Sequence, residues 1–306
     1  MKIVFLDAAT MGDISFEPIE KKGELICYPS STPEEAIARV ADCDVLIVNK
    51  IEVTPELIDA AGKLKLICES ATGINNIDVD YAASKGIPVR NVAGYSTESV
   101  VQTTFMHILS LVGSLSYYDS KVKSGEYSSS GMFTDVSAPF MELFGKTIGI
   151  IGMGTIGRRV AQVASAFGMN IVYYSTSGTS HCTEYPSVPI EELMRVSDVV
   201  SIHAPLNERT SGLVGRDELA LMKPSAIIVN MGRGGIVDEA ALAKAVDENR
   251  IAGAALDVYS QEPLPESNPL LSVRNAGHLS LTPHTGWASV EARKRLVQMV
   301  ADNIRL

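Results

Sequence analysis

The sequence predicts an α/β fold made of two parallel-sheet domains. Three observations predict it. The length of 306 residues is about twice that of an average domain. Short runs rich in Ile and Val alternate with helical patterns along most of the chain. That alternation breaks once, after Ser96, and then starts again.

The first series runs KIVFL (2–6), ELICYP (24–29), the helical PEEAIARVADC (33–43), DVLIVN (44–49), the helical TPELIDAAGK (54–63), LKLICES (64–70), a helix around Asp78 to Lys85, and IPVRN (87–91). From Thr97 to about Lys123 one long apolar-rich segment follows, with helical spacing at Val100, Thr104, Ile108 and Leu111. The polar stretch KSGEYSSSGMF (123–133) then reads as a loop. A second series passes through KTIGIIGMGTIG (146–157), IVYYS (171–175), DVVSIHAPL (198–206), AIIVNMGRGG (226–235), IAGAALDVY (251–259) and HLSLTPH (278–284). Its strands are short and apolar, as a parallel sheet covered on both faces requires. SVEARKRLVQMVADNIRL (289–306) closes the chain as a helix.

Hydrophobic residues at 46% and charged residues at 20% exclude a disordered or fibrous chain. The formal charge of −10 argues against a duplex nucleic-acid partner, because phosphate binding needs clustered Lys and Arg. It leaves room for a locally positive pocket. Four apolar residues before Asp7 are too few for a signal-peptide core, and the most apolar segment, Thr103 to Leu115, is interrupted by His107, Ser110, Gly113 and Ser114. A chain with no membrane association and a cytoplasmic location is therefore expected. Cys27, Cys43, Cys68 and Cys182 lack CxxC spacing and are expected to be buried, reduced thiols, with no metal site.

The strongest motif is Gly152-Met153-Gly154-Thr155-Ile156-Gly157, directly after the strand Thr147 to Ile151 and directly before a helix. In that context the first glycine allows the tight turn, the second lets a pyrophosphate approach the backbone, and the third lets helix and strand pack closely. The helix N-terminus adds unpaired N–H groups for the phosphates. A dinucleotide site usually carries an acid at the end of the next strand; here that position is Ser175, followed by Thr176 and Ser177. No carboxylate repels a 2′-phosphate there, and no Arg stands at 176 or 177 to bind one, so NAD and NADP both stay open.

Three further sites fall just past strand ends: Arg233 after Ala226 to Asn230, Asp257 and Glu262 after Ala254 to Leu256, and His284 after Leu279 to Leu281. Taken singly they are an ordinary surface cation, a turn cap, a loop charge and a turn histidine. In an open parallel sheet all carboxyl ends face one crevice, which makes them a constellation behind the glycine turn. Hydride transfer at a 2-keto or 2-hydroxy acid needs such a set. Arg233 would fix the carboxylate and polarise the carbonyl, His284 would act as acid/base, and Glu262 would orient its ring and favour imidazolium.

The chain resembles the D-2-hydroxyacid dehydrogenase family over nearly its full length. The resemblance is carried by SATGINNID (70–78), GYSTESV (94–100), the glycine turn, VSIHAPL (200–206), the Arg233 segment, ALDVY (255–259) with Glu262-Pro263, and Thr282-Pro283-His284. TPHTGWAS (282–289) is similar to the glycerate dehydrogenase, or hydroxypyruvate reductase, branch. The resemblance implies two Rossmann-like/flavodoxin-like domains with a cleft between them: residues 1–97 plus 290–306 as the substrate domain, and 98–289 as an inserted NAD(P) domain. It implies Arg233, Glu262 and His284 as the catalytic trio, and Thr72 and Gly73 as a second clamp on the substrate. It further implies cofactor contacts from Gly152, Gly154, Thr155, Ile156, Gly157, Ser175, His203, Ala204, Pro205, Thr210, Met231, Gly232, Asp257 and Gly286, with Asp257 meeting the nicotinamide carboxamide. A homodimer, and a small 2-keto acid such as hydroxypyruvate, glyoxylate or pyruvate, complete the expectation. A phosphoglycerate substrate, or a nucleotide-sensing, corepressor-like protein on the same fold, is the alternative. His107 is expected to be a packed or interface histidine, and His181 and His278 solvent or turn residues.

Overall fold

The computed structural model describes residues 1–179 and 182–305. His181 lies outside the described residues. The chain divides into two compact units, Met1–Ser96 with Trp287–Leu306, and Thr97–Gly286. The second unit is thus inserted into the sequence of the first. The return to the first unit comes three residues earlier than the expected boundary after Ser289. Trp287 packs edge-on against Tyr95 at 6.3 Å, whereas the Gly286 carbonyl accepts from Ser99 Oγ at 2.6 Å.

Among the described residues, the strands of the first unit are β1 (Lys2–Phe5), β2 (Glu24–Cys27), β3 (Val45–Val48), β4 (Leu66–Glu69) and β5 (Val89–Arg90), in the all-parallel order β2-β1-β3-β4-β5. This is the flavodoxin-like order. The central strands β3 and β4 read VLIV and LICE and are buried at every position, because helices cover both faces. One face is covered by the C-terminal helix Val290–Asn303, whose Leu296, Val297, Val300 and Ala301 pack with Ile3, Phe5, Val45, Ile47 and Leu66. The i, i+4 spacing of 292, 296 and 300 supplies that stripe. Ser289 Oγ caps the helix by accepting from Ala292 N at 3.2 Å.

The second unit contains β6 (Thr147–Ile151), β7 (Asn170–Tyr174), β8 (Val199–Ile202), β9 (Ile227–Asn230), β10 (Gly253–Leu256) and β11 (Leu279–Leu281), again all parallel, in the order β11-β10-β9-β8-β6-β7. Chain order reverses between β6 and β8, which is where open α/β sheets bind ligands. The register makes the strand ends level. Tyr174 pairs with Ile151, Ile151 with Ile202, Ile202 with Asn230, Asn230 with Leu256, and Leu256 with Leu281. Residues 175, 152, 203, 231, 257 and 282 therefore leave the sheet along one edge.

Two expectations change. The segment 97–123 is two helices, Thr97–Val112 and Leu115–Lys123, because Ser114 is left-handed (φ 49°) and breaks the run. The stretch expected as a loop after Lys123 contains the short helix Glu126–Ser129. Cys43, Cys68 and Cys182 are buried thiols outside any disulfide, and burial pushes the Cys43 and Cys68 thiols up to about 12. Cys27 departs from expectation: it ends the edge strand β2 and is exposed. No helix among the described residues is long and apolar enough to cross a membrane.

The carboxyl edge of the first sheet holds two buried acids. Asp7 accepts from the backbone N–H groups of Asn49, Lys50 and Ile51, which oppose the upward push of burial on its carboxyl. Glu69 is fully buried, receives the Asn76 amide at 3.0 Å on Oε2, and has no partner on Oε1 among the described residues. Burial pushes Glu69 up to about 8, helped by the charge of Asp7 and opposed by Asn76 and Lys50. The unfolded chain releases this proton near the ordinary 4.5, so between the two values the unfolded state binds fewer protons and stability falls as pH rises. The melting temperature should therefore drop from about pH 5 to about pH 8, and Glu69→Gln should flatten that drop. A Glu69→Gln profile parallel to the parent would refute a protonated Glu69.

Candidate active site

The glycine turn sits at the end of β6, beside the reversal of strand order. Gly152 is left-handed (φ 95°), and a Cβ there would lie 2.9 Å from Ala204 N. A Cβ on Gly157 would lie 2.2 Å from the Gly152 carbonyl, which forces glycine for helix and turn to touch. Gly154 is different, since a Cβ would meet nothing within 4 Å. That glycine leaves open space in front of the backbone. The helix Thr155–Ala166 starts there with no side-chain cap and no acid in its first turn, so the N–H groups of Thr155 and Ile156 face no built-in anion. Buried His203 Nδ1 has no partner among the described residues, while Nε2 pairs with Ser201 Oγ at 2.8 Å. Burial lowers its pKa to about 3, so the ring is neutral and suited to a polar contact, not to acid catalysis. Open backbone, an acid-free helix start and one orphaned buried nitrogen fit a dinucleotide.

The loop after β9 is clamped by the Asn230 side chain. Asn230 accepts from Gly232 N at 3.1 Å and donates to the Arg233 carbonyl at 3.0 Å. A Cβ at Gly232 would lie 2.7 Å from Ala204 O, and one at Gly234 would collide with the Tyr259 carbonyl at 1.7 Å. Met231 is buried beside this clamp, and half-buried Arg233 donates from Nη1 to the Gly232 carbonyl at 2.8 Å. That bond engages one of five guanidinium N–H groups.

The exits of β10 and β11 meet at Asp257 and His284. His284 Nδ1 lies 2.6 Å from Glu262 Oε2, and Glu262 Oε1 accepts from Tyr259 N at 3.0 Å. The imidazole is thereby fixed through Nδ1, leaving Nε2 as the nitrogen that Glu262 does not engage. His284 itself is left-handed (φ 54°), a conformation that costs a non-glycine residue about 1–3 kcal/mol. It is held there by the bond from its N–H to the Asp257 carbonyl at 2.8 Å. Tyr259, buried and pushed up to about 12, braces the same corner with its hydroxyl on the Thr282 carbonyl at 3.0 Å.

Two residues expected as cofactor contacts are also engaged within the chain. The Asp257 carboxylate is buried and already receives Thr282 Oγ1 (2.6 Å), Thr285 N (2.8 Å) and Gly286 N (2.7 Å), so it positions the 282–286 segment. Gly286 fits against it because a Cβ would lie 2.8 Å from Oδ2. Thr210 is fully buried, its hydroxyl donating to the Pro205 carbonyl at 2.6 Å and accepting from Asn207 N, which staples the loop after Ala204 and Pro205. Ser175 directly follows β7, with its hydroxyl on the Thr179 carbonyl at 2.6 Å. Thr72 and Gly73 lie in the first unit, after β4, where Thr72 Oγ1 donates to the Val92 carbonyl and Asn91 to the Thr72 carbonyl. Among the described residues, no group of three His, Cys, Asp or Glu could hold a metal ion.

Residues 105–286 match the family model described as D-isomer specific 2-hydroxyacid dehydrogenase, NAD binding domain. The chain belongs to that family. The enzyme is 35% identical to a hydroxypyruvate reductase of Blautia hydrogenotrophica, with 99% of this chain and 96% of that protein covered. It is 41% identical to a glyoxylate reductase of Aeropyrum pernix, covering 90% of this chain and 83% of that protein. Among solved structures it resembles D-lactate dehydrogenase from Aquifex aeolicus complexed with NAD and lactic acid, at a TM-score of 0.85, 27% identity, 99% of this chain and 94% of that one. It is an NAD(P)-dependent D-2-hydroxyacid dehydrogenase.

Sequence reasoning missed how this dehydrogenase supports its site. His107, on the helix Thr97–Val112, is buried as expected, but it is also a bridge, with Nδ1 2.7 Å from Ser280 Oγ and Nε2 3.1 Å from Thr282 Oγ1. Thr282 passes the chain of hydrogen bonds to Asp257. A histidine facing the apolar side of a helix was the available signal; its partners, over 170 positions away, were not. Thr282→Val removes the link and leaves both His107 and Asp257 short of a partner, which should cost about 1–3 kcal/mol in urea unfolding. Unchanged stability would show that the network carries no load.

Proposed function

We propose that this dehydrogenase reduces a small 2-keto acid, of the hydroxypyruvate, glyoxylate or pyruvate class, to the D-2-hydroxy acid. The observation that carries the reading is the 2.6 Å pair of His284 and Glu262 on the same sheet edge as Arg233 and the glycine turn. Arg233 binds the substrate carboxylate, and its planar donor fork polarises the adjacent carbonyl. The bound dinucleotide supplies the hydride, or accepts it in reverse. As charge builds on the carbonyl oxygen, His284 donates a proton to it from Nε2 and later regains one from solvent. Glu262 holds the ring by Nδ1, fixing its orientation. Asp257 acts through the backbone of 284–286, not on substrate. The first unit is the proposed substrate domain, with the Thr72–Gly73 backbone as its carboxylate contact, and residues of the second unit bind the cofactor.

Substrate size follows the relatives, a hydroxypyruvate reductase, a glyoxylate reductase and a D-lactate dehydrogenase, all named for two- or three-carbon acids. A homodimer belongs to the same reading. It is supported by the apolar side chains Met106, Leu115, Val122, Phe133 and Phe140, each more than half exposed on the second unit. The reduced, largely buried cysteines support a cytoplasmic location.

Oxidation of NADH and NADPH, followed with a panel of 2-keto acids, tests the activity; no turnover above background on any of them would overturn it. His284→Ala should lower kcat by about 10²–10⁴-fold while cofactor affinity is retained. A near-parental rate would remove His284 from the acid/base role. Sedimentation equilibrium should give twice the chain mass, and a monomer at micromolar concentration would refute the dimer.

A further inference from the structure

The loop that follows β7, where the adenosine ribose of a dinucleotide lies in this class of sheet, is reached by an arginine from another strand exit. Arg209 stands in the loop after β8, and its Nη1 donates to the Ser177 carbonyl at 2.6 Å, spanning from the exit of β8 to that of β7 past the glycine turn of β6 between them. Its position is fixed from below. Asn207 Oδ1 accepts the Arg209 backbone N–H at 2.9 Å, and the fully buried Thr210 staples the same loop. Gly178, left-handed at φ 79°, makes room, since a Cβ there would lie 3.0 Å from Nη1. The guanidinium itself is exposed, and its contact is with a neutral carbonyl, so its charge is not cancelled at this spot by a carboxylate among the described residues. Around it stand Ser175 and Ser177, hydroxyl side chains where a carboxylate would have turned a phosphate away.

We propose that Arg209 is the specificity-determining residue for the cofactor, and that beside the uncharged Ser175 and Ser177 it binds a 2′-phosphate, so that the enzyme takes NADPH in preference to NADH. The inference rests on the dinucleotide reading of the glycine turn. A monoester phosphate dianion beside a guanidinium with unused N–H groups forms charge-assisted, often bidentate hydrogen bonds, whereas the 2′-hydroxyl of NADH offers a weak neutral contact. The adjacent Ser175 and Ser177 hydroxyls, each donating to the Thr179 carbonyl, add no negative charge that would repel the phosphate. The sequence hides this because the arginine that a 2′-phosphate needs stands 32 positions beyond Ser177, in another loop.

Binding to the full chain, without turnover, decides the matter. Dissociation constants for NADPH and NADH are measured by nicotinamide fluorescence, and those for 2′,5′-ADP and 5′-ADP by calorimetry. The parent should bind each 2′-phosphorylated ligand at least about 10-fold more tightly than its unphosphorylated counterpart. Arg209→Gln should weaken NADPH and 2′,5′-ADP by about 10- to 100-fold and NADH by less than about 3-fold, with Arg209→Lys recovering part of the loss. Equal affinity of the parent for NADH and NADPH overturns the proposal and leaves the dinucleotide reading standing. A parallel loss for both cofactors in Arg209→Gln also overturns it, because the guanidinium would then serve the shared adenosine. Failure to bind either cofactor removes both readings together.

Discussion

The buried Asp257 carboxylate holds the backbone of the segment that carries His284, and the site of this dehydrogenase is organised around that contact. Its two oxygens receive Thr282, Thr285 and Gly286, and its carbonyl receives His284 N. The turn after β11 is thereby bent back over the exit of β10. A buried carboxylate is tolerable only when donors replace its lost water, and here those donors are the backbone of the segment that carries the candidate acid/base. The left-handed backbone of His284 is the local cost, held in place by surrounding bonds. His107 extends the same network into the helix Thr97–Val112, so the corner is tied to the core on one side and to Glu262 on the other.

The second constraint is register. Six parallel strands with level ends deliver a residue each to one edge, and glycines at 152, 157, 232 and 234 let the connecting loops press together there. At three of these four positions the neighbour is a backbone atom within 2.9 Å of a would-be Cβ, and at Gly234 the overlap is worse still, so no side-chain movement relieves a substitution. Gly154 alone of the turn has space before it, and it is the place where the helix start lacks an acid. A net charge of −10 thus coexists with an acid-free helix start at this edge, because charge is placed locally by strand exits while the total is set by the surface.

Much of this was legible in the chain. Apolar runs of four or five residues between helical patterns determine strands that are buried on both sides, and every such run became a parallel strand. The glycine spacing directly after Thr147–Ile151 determines the turn, since each glycine answers a separate steric demand. Arg233, Glu262 and His284 could be singled out because each follows a strand end. The long segment after Thr97 reads as one piece in the sequence, because an apolar period carries no mark of a left-handed residue such as Ser114.

By itself, then, the sequence determined the class of fold, the dinucleotide turn and the identity of the candidate reacting groups, all of which depend on spacing within about ten residues. Tertiary structure decided which polar groups were already engaged. Asp257 and Thr210, expected among the cofactor contacts, are also engaged by donors and acceptors that the fold brings to them. His107 and Arg209 acquired roles from partners far away in the chain. The physical reason is that a hydrogen bond depends on distance in space, and in a sheet whose strand order departs from chain order, nearness in space is set by the topology and not by the sequence interval.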